Sequence, residues 1–204
     1  MSAITISRQM GSRGDELAWQ VAQQLGWQLV ARDLINRAAA AAGVPHMALV
    51  DIDELGLLNL RASAKEWRAY QAHVEGIIQA WAYRGEAVIV GRGGQMALYG
   101  WPDVFHIRVV APLEMRIAHL QQKENISAQS ARARLEASAK TRARYLRRSY
   151  GVQIDDPSLY HLTVNTGLLG LSQAISLVLQ SSQAWFEANC VSQRDGPSAG
   201  IQQA

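Results

Sequence analysis

Residues 3–18 constrain this chain more than any other stretch. Ala3-Ile4-Thr5-Ile6-Ser7 is rich in β-branched residues, Gly11 and Gly14 punctuate the residues after it, and a helical pattern opens at Asp15. The order is strand, glycine-containing turn, helix. The glycines let the backbone turn sharply and approach an anion closely, and the first N–H groups of the helix, with its dipole, point at the same spot. Two readings fit: a phosphate loop, and a strand-to-helix turn whose glycines serve close packing. The pattern G-x-x-x-x-G-K-[ST] is not met, since Gly14 stands at the phosphate-gripping Lys and Asp15 at the magnesium-binding hydroxyl.

The first helix is predicted over 15–25, with Leu17, Val21 and Leu25 on one stripe and Gly26 as its stop. A short strand over 27–30 and a helix over 32–42 follow, the helix carrying Asp33 near its start and closed by Gly43 and Pro45. Residues 44–59 lose periodicity and carry Asp51, Asp53 and Glu54, which suits a connection serving as a lid or a partner surface. Over 62–84 the residues Trp67, Tyr70, Val74, Ile77, Ile78 and Trp81 recur at helical spacing. Such a stripe packs internally as a rule, with a homodimer face as the other reading.

Ala87-Val88-Ile89-Val90 has the continuous apolar run of a buried parallel strand and ends at Gly91-Arg92-Gly93-Gly94. A further strand over 104–110 leads through Ala111-Pro112 into a helix over 113–123. Ser127 is placed to cap a long basic helix reaching Tyr150, closed by Gly151. A turn at Asp155-Asp156-Pro157, a strand over 159–164 ending at Asn165-Thr166 and a helix over 171–188 complete the pattern, with 189–204 expected as a disordered tail.

This alternation predicts an α/β fold, a parallel sheet with helices on both faces. Ligands of such sheets bind beyond the carboxyl ends of the strands. The loop after the first strand, Gly91-Arg92, Ala111-Pro112 and Asn165-Thr166 would then share one edge, which is the predicted site.

The chain has 204 residues, 49% of them hydrophobic, enough for one domain over 1–188. No apolar run is long enough to span a bilayer and no signal peptide opens the chain, so a cytoplasmic protein without membrane attachment is expected. The single cysteine, Cys190, excludes an intrachain disulfide and a cysteine-rich zinc site. His46, His73, His106, His119 and His161 show no metal-ligand spacing and read as structural or surface residues. The net charge is only +3, yet Arg132, Arg134, Lys140, Arg142, Arg144, Arg147 and Arg148 fall within seventeen residues that hold one acid, Glu136. Such a cluster is either a solvated helix face or the seat of an anionic partner, nucleotide phosphate or nucleic acid.

In order, the motifs I-T-I-S-R-x-x-G-S-x-G-x-E, V-I-V-G-R-G, V-V-A-P-L-E-x-R, R-A-R-Y and Y-x-L-x-V-N-T resemble the cytidylate kinase-like family of P-loop proteins over roughly residues 3–180. The resemblance implies a P-loop NTPase or nucleoside-monophosphate-kinase fold with a basic helical lid at about 124–157. It implies transfer of the γ-phosphoryl group of ATP, with Mg2+, to CMP, dCMP or another small acceptor. Its phosphate cradle falls on Arg8, Gly11, Ser12, Arg13 and Gly14, with Arg13 in place of a common glycine. Arg37 and Arg92 fall at acceptor-binding positions, and Arg142, Arg144 and Arg148, with Arg13, at positions that neutralise the transferring phosphate.

Several positions depart from the family pattern. Besides the missing Lys and hydroxyl, Val90 and Gly93 stand where acids flank Gly-Arg, and Ala31 where an Asp is usual. Asp15, Glu16 and Asp33 remain as candidate metal ligands, Asp15 also suiting a helix-start carboxylate. Two functional classes remain: a nucleotide kinase whose arginines replace the lost Lys, and a nucleotide-binding relative without catalysis that acts through a partner. A nucleic-acid surface on the basic helix is a third reading, which no base-reading motif supports.

Overall fold

The computed structural model describes residues 2–31, 33–36 and 63–192. Its centre is β1 (Ala3–Arg8), whose residues are buried over 3–7. β2 (Gln28–Val30), β3 (Ala87–Val90), β4 (Val104–Val110) and β5 (Leu162–Asn165) join it in one five-stranded sheet of order β2-β3-β1-β4-β5. All four pairings are parallel, as the alternation of strand and helix predicts.

Period-two alternation assigns each face of β1 its own layer. Ile4 and Ile6 pack with α1 (Gly14–Leu25) through Leu17, Ala18 and Val21, and with α7 (Leu171–Ser192) through Ala174, Ile175 and Val178. Ala3 belongs to the opposite layer, where α2 (Ala64–Arg84) contributes Trp67, Tyr70, Val74 and Ile78. The aromatic stripe therefore lies in the core. α5 (Ala128–Tyr150) adds Tyr145 and Leu146 to that layer, and packs its N-terminal half on α4 (Leu113–Glu124) through Ala131 and Leu135. No helix among the described residues is long and apolar enough to cross a membrane.

Local chemistry sets the ends. Ser63 and Glu66 form a reciprocal capping box at α2, and the Ser127 side chain accepts from the Ser130 N–H at α5. Gly26 and Gly151 close α1 and α5 in the left-handed conformation.

The structure differs from expectation in four places. A short helix α3 (Gly94–Ala97) follows the glycines after β3. Pro157–Leu159 is a 3-10 turn and not strand, because Asp156 caps it by accepting from the Ser158 N–H, so β5 begins only at Leu162. Asn165 ends β5 and caps α6 (Thr166–Leu169) by accepting from the Gly167 and Leu168 N–H groups. α7 extends to Ser192, beyond the expected limit at 188. Residues 33–36 are helical, whereas the rest of the second predicted helix and the 44–59 connection lie outside the described residues.

Register brings the strand ends level. Arg8 is opposite Val109, Ile6 opposite Val90 and Val110 opposite Asn165, so all four expected segments meet at one sheet edge.

Beneath that edge lies a stack of rings. His106 is buried, its Nδ1 lies 2.7 Å from the Thr5 hydroxyl, and its ring is 5.0 Å from that of His161, which in turn stacks on Trp185. Burial, and then the charge of His161, push the His106 pKa down to about 4. An unfolded histidine titrates near 6.5, so below that value the unfolded chain takes up the proton first. Stability present above pH 6.5 should fall as pH drops to about 4, by about 3 kcal/mol from this residue. Urea unfolding from pH 7 to pH 4 should show a flatter dependence for His106→Gln than for wild type. Parallel curves would refute the assignment.

Candidate functional site

The turn between β1 and α1 is held by its own side chains. The Gln9 amide oxygen accepts from the Ala111 N–H at 3.2 Å, and the Ser12 hydroxyl donates to the Gln9 carbonyl at 2.8 Å. Thr166, at the start of α6, donates its hydroxyl to the Ser12 carbonyl at 2.6 Å and ties the turn to the end of β5. Gly11 has φ +78°, and a Cβ there would lie 2.8 Å from the Arg116 carbonyl oxygen, so the turn is pressed against α4. Ser12 is thus an internal strut with its hydroxyl already committed. No side chain caps α1, whose N-cap is Arg13 in the left-handed conformation with φ 57°. The start of α1, with its N–H groups and dipole, suits an anion from outside.

Two of the arginines singled out in the sequence, Arg8 and Arg142, meet at this turn, and Arg92 follows the Gly91 that the Arg8 guanidinium reaches. Arg8 ends β1 with its side chain only 10% exposed, and its Nε donates to Asp15 Oδ1 at 2.8 Å. Arg142, on α5, donates from Nη1 to the Arg8 carbonyl oxygen. Arg92 follows β3, with its Nη2 donating to Asn36 Oδ1 at 2.9 Å while its carbonyl accepts from the Tyr145 hydroxyl at 3.3 Å. Burial pushes the Tyr145 hydroxyl up, which keeps it protonated as the donor to Arg92.

The other predicted arginines sit elsewhere. Arg13 is held by both oxygens of Glu16 at 2.9 Å on the exposed start of α1, a pairing that raises the Arg13 pKa and lowers that of Glu16. Arg144 is exposed on α5. Arg148 lies over the face of Trp67, with Cζ 3.9 Å from the ring centroid. Arg37 lies outside the described residues. In the N-terminal half of α5, Arg132 and Arg134 pair with Glu114 and Glu124 of α4, which neutralises part of the basic face.

Arg108 is a functional candidate that the sequence motifs do not single out. It is 5% exposed on β4, with Nη1 donating to the Ser7 hydroxyl at 2.8 Å and Nη2 to Asp155 Oδ1 at 2.7 Å. Burial, followed by the charge of Arg108, lowers the pKa of the neighbouring Arg116. A charged residue inside Val-Phe-His-Ile-Arg-Val-Val was the available signal, because buried charges are rare without a task. The Nε atoms of Arg92 and Arg108 are buried with no hydrogen-bond partner among the described residues. Unpaired buried donors of this kind suit an incoming anion.

The edge as a whole fits phosphate, since the start of α1 and Arg8, Arg92, Arg108 and Arg142 surround it. It does not fit a ready-made magnesium cage. Asp15 is bonded to Arg8 and Glu16 to Arg13, Asp33 is exposed at the helical turn 33–36, and among the described residues no group of three or more His, Cys, Asp or Glu could hold a metal.

The sequence matches the model of the cytidylate kinase-like family over residues 3–168. It is 24% identical over 179 residues to the cytidylate kinase of Ignicoccus hospitalis, covering 87% of this chain and 97% of that one. Its fold is similar to that of an uncharacterized protein from Eubacterium ventriosum, with TM-score 0.73 and 17% identity over 90% of this chain and 99% of the other. It is also similar to shikimate kinase from Acinetobacter baumannii, with TM-score 0.52 and 12% identity over 90% and 94% of the two chains. The chain thus has a P-loop NTPase-like fold, a parallel five-stranded sheet with helices. On the ordered motifs and the span of the match, the chain belongs to the cytidylate kinase-like family.

Proposed function

We propose that the protein is an ATP-dependent phosphotransferase that moves the γ-phosphoryl group to a nucleoside monophosphate, CMP or dCMP, or to another small acceptor. The observation that carries this reading is the meeting of Arg8 and Arg142 at the turn before α1, with the Arg8 guanidinium reaching the segment that carries Arg92. Phosphoryl transfer needs little covalent help and much charge neutralisation and alignment, which backbone N–H groups and arginines supply.

In this reading the backbone of Gly11, Ser12, Arg13 and Gly14 receives the donor phosphates. Arg92 receives the acceptor phosphate together with Arg37. Arg142 stands between them as the inward arginine of a lid at about 124–157. Arg144 and Arg148 lie on the same helix, Arg144 exposed and Arg148 over the face of Trp67. Arg13, held by Glu16, stiffens the turn and flanks the transferring group. Magnesium, which the family implies, neutralises phosphate charge when it arrives with the nucleotide, and no residue step here depends on it.

A second reading has one observation in its favour. Asp15 places a carboxylate at the turn where a hydroxyl is usual, and it holds Arg8 by an ion pair. A phosphate must compete with that carboxylate, which suits a relative that binds nucleotide without transferring phosphate and acts through a partner.

Turnover separates the two. With ATP and Mg2+ the purified chain should phosphorylate CMP or dCMP, and a folded sample inert over a broad panel of acceptors, beside an active control, would exclude the kinase reading. In the active enzyme, Arg92→Ala should raise the acceptor KM about tenfold or more, the worth of a charge-assisted hydrogen bond, and leave ATP affinity within about twofold. Equal losses for both substrates would remove Arg92 from the acceptor site.

A further inference from the structure

The kinase reading leaves one gap, because the turn lacks the lysine that grips phosphate in P-loop enzymes. We propose that Arg8 is that cation, delivered from the end of β1 instead of the start of α1, and that Gly14 is glycine to make room for it. The inference rests on the phosphate-binding reading of the site above.

Steric exclusion is the first support. A Cβ on residue 14 would lie 2.5 Å from the Arg8 Cβ and 2.9 Å from its Cγ. A lysine at 14 and an arginine at 8 therefore cannot coexist in this backbone. Gly14 is the first residue of α1 and is not among the glycines of positive φ, so its conformation does not demand glycine. The Cβ and Cγ of the long side chain at residue 8 do.

Direction is the second. Across the turn, a Cβ on Gly91 would lie 2.9 Å from the Arg8 Nη1. The guanidinium thus reaches from the turn at α1 to the Gly91-Arg92 segment at the end of β3. One of these would hold the donor phosphates and the other the acceptor, so Arg8 occupies the ground between two anions that repel each other. Its planar fork can face both, which a lysine ammonium on a flexible stem does less well. Asp15, 69% exposed, fixes the fork through Nε and acts as a positioning residue. Arg8, Gly14 and Asp15 then form one coordinated arrangement, and the missing lysine and hydroxyl are not two separate losses.

The test is calorimetric binding of ATP and of inorganic tripolyphosphate to the full chain, with thermal melting of every sample. Arg8→Ala should lose about tenfold or more in affinity for both probes. Arg8→Gln keeps the stem packed over Gly14 and should lose as much without disturbing the turn. The double variant Arg8→Gly with Gly14→Lys, in which lysine takes the cleared space, should bind more tightly than Arg8→Gly alone. Unchanged tripolyphosphate affinity in a folded Arg8→Gln overturns the proposal, as does a folded double variant no better than Arg8→Gly. Wild-type phosphoryl transfer alongside unchanged Arg8→Gln binding would sink the role of Arg8 and leave the kinase reading standing. Arg8-dependent tripolyphosphate binding without transfer would do the reverse, and wild type that binds neither probe would overturn both.

Discussion

Strand β1 is hydrogen-bonded on both edges by parallel neighbours, β3 and β4, and every feature of the site depends on that double pairing. A strand buried on both faces and paired on both edges has no freedom to slide, because a one-residue slip would turn Thr5 and Ser7 into the layer of Ile4 and Ile6. Its last residue, Arg8, is therefore delivered to a fixed point. The turn after it is fixed from outside as well, by Gln9 on Ala111, Gly11 against Arg116 and Thr166 on Ser12. Rigid placement matters for phosphate chemistry, since donors already aimed at a charge need no reorganisation when it develops.

The cations at this edge are balanced unevenly. Arg108 is almost wholly buried, and the acid it meets, Asp155, is largely exposed. A buried cation whose counterion reaches in from solvent keeps much of its desolvation cost uncompensated. A multiply charged anion entering the same space offsets that cost, so the site is electrostatically incomplete in the direction that favours phosphate. Ion pairs on the outer helices, such as Arg13 with Glu16 or Arg132 with Glu114, contribute little by comparison because water screens them.

Much of the fold was legible in the sequence. The runs of β1, β3 and β4, the aromatic stripe of α2 and the Ser127 cap all express local rules that tertiary packing did not override. The start of β5 was not, because Pro157 and the Asp156 side chain favour a 3-10 turn where the apolar pattern alone suggests strand. Of the site, the shared sheet edge was readable, whereas the choice among arginines was not fully so. Helical phase could have separated Arg142 from Arg144 and Arg148, since Arg142 is three and four residues before the buried Tyr145 and Leu146. Nothing in the residue order distinguishes Arg8 from Arg13 as the inward group. That distinction comes from a left-handed backbone at Arg13, which accompanies its pairing with Glu16, and from a vacant Cβ position at Gly14.

The end of α5 is bonded to the very segment that carries Arg92. Tyr145 donates to the Arg92 carbonyl, and a Cβ on Gly93 would lie 2.8 Å from the Tyr150 ring, so this segment and the last turns of the helix are packed directly on each other. The indole of Trp67 touches the same turns, with its ring centroid 5.8 Å from that of Tyr145 and Arg148 over its face. Indole emission responds to a cation at its face. The chain holds six tryptophans, and Trp81 also has an arginine over its face, so in a variant that keeps Trp67 alone the colour and yield of its fluorescence register how the basic helix sits over the sheet edge.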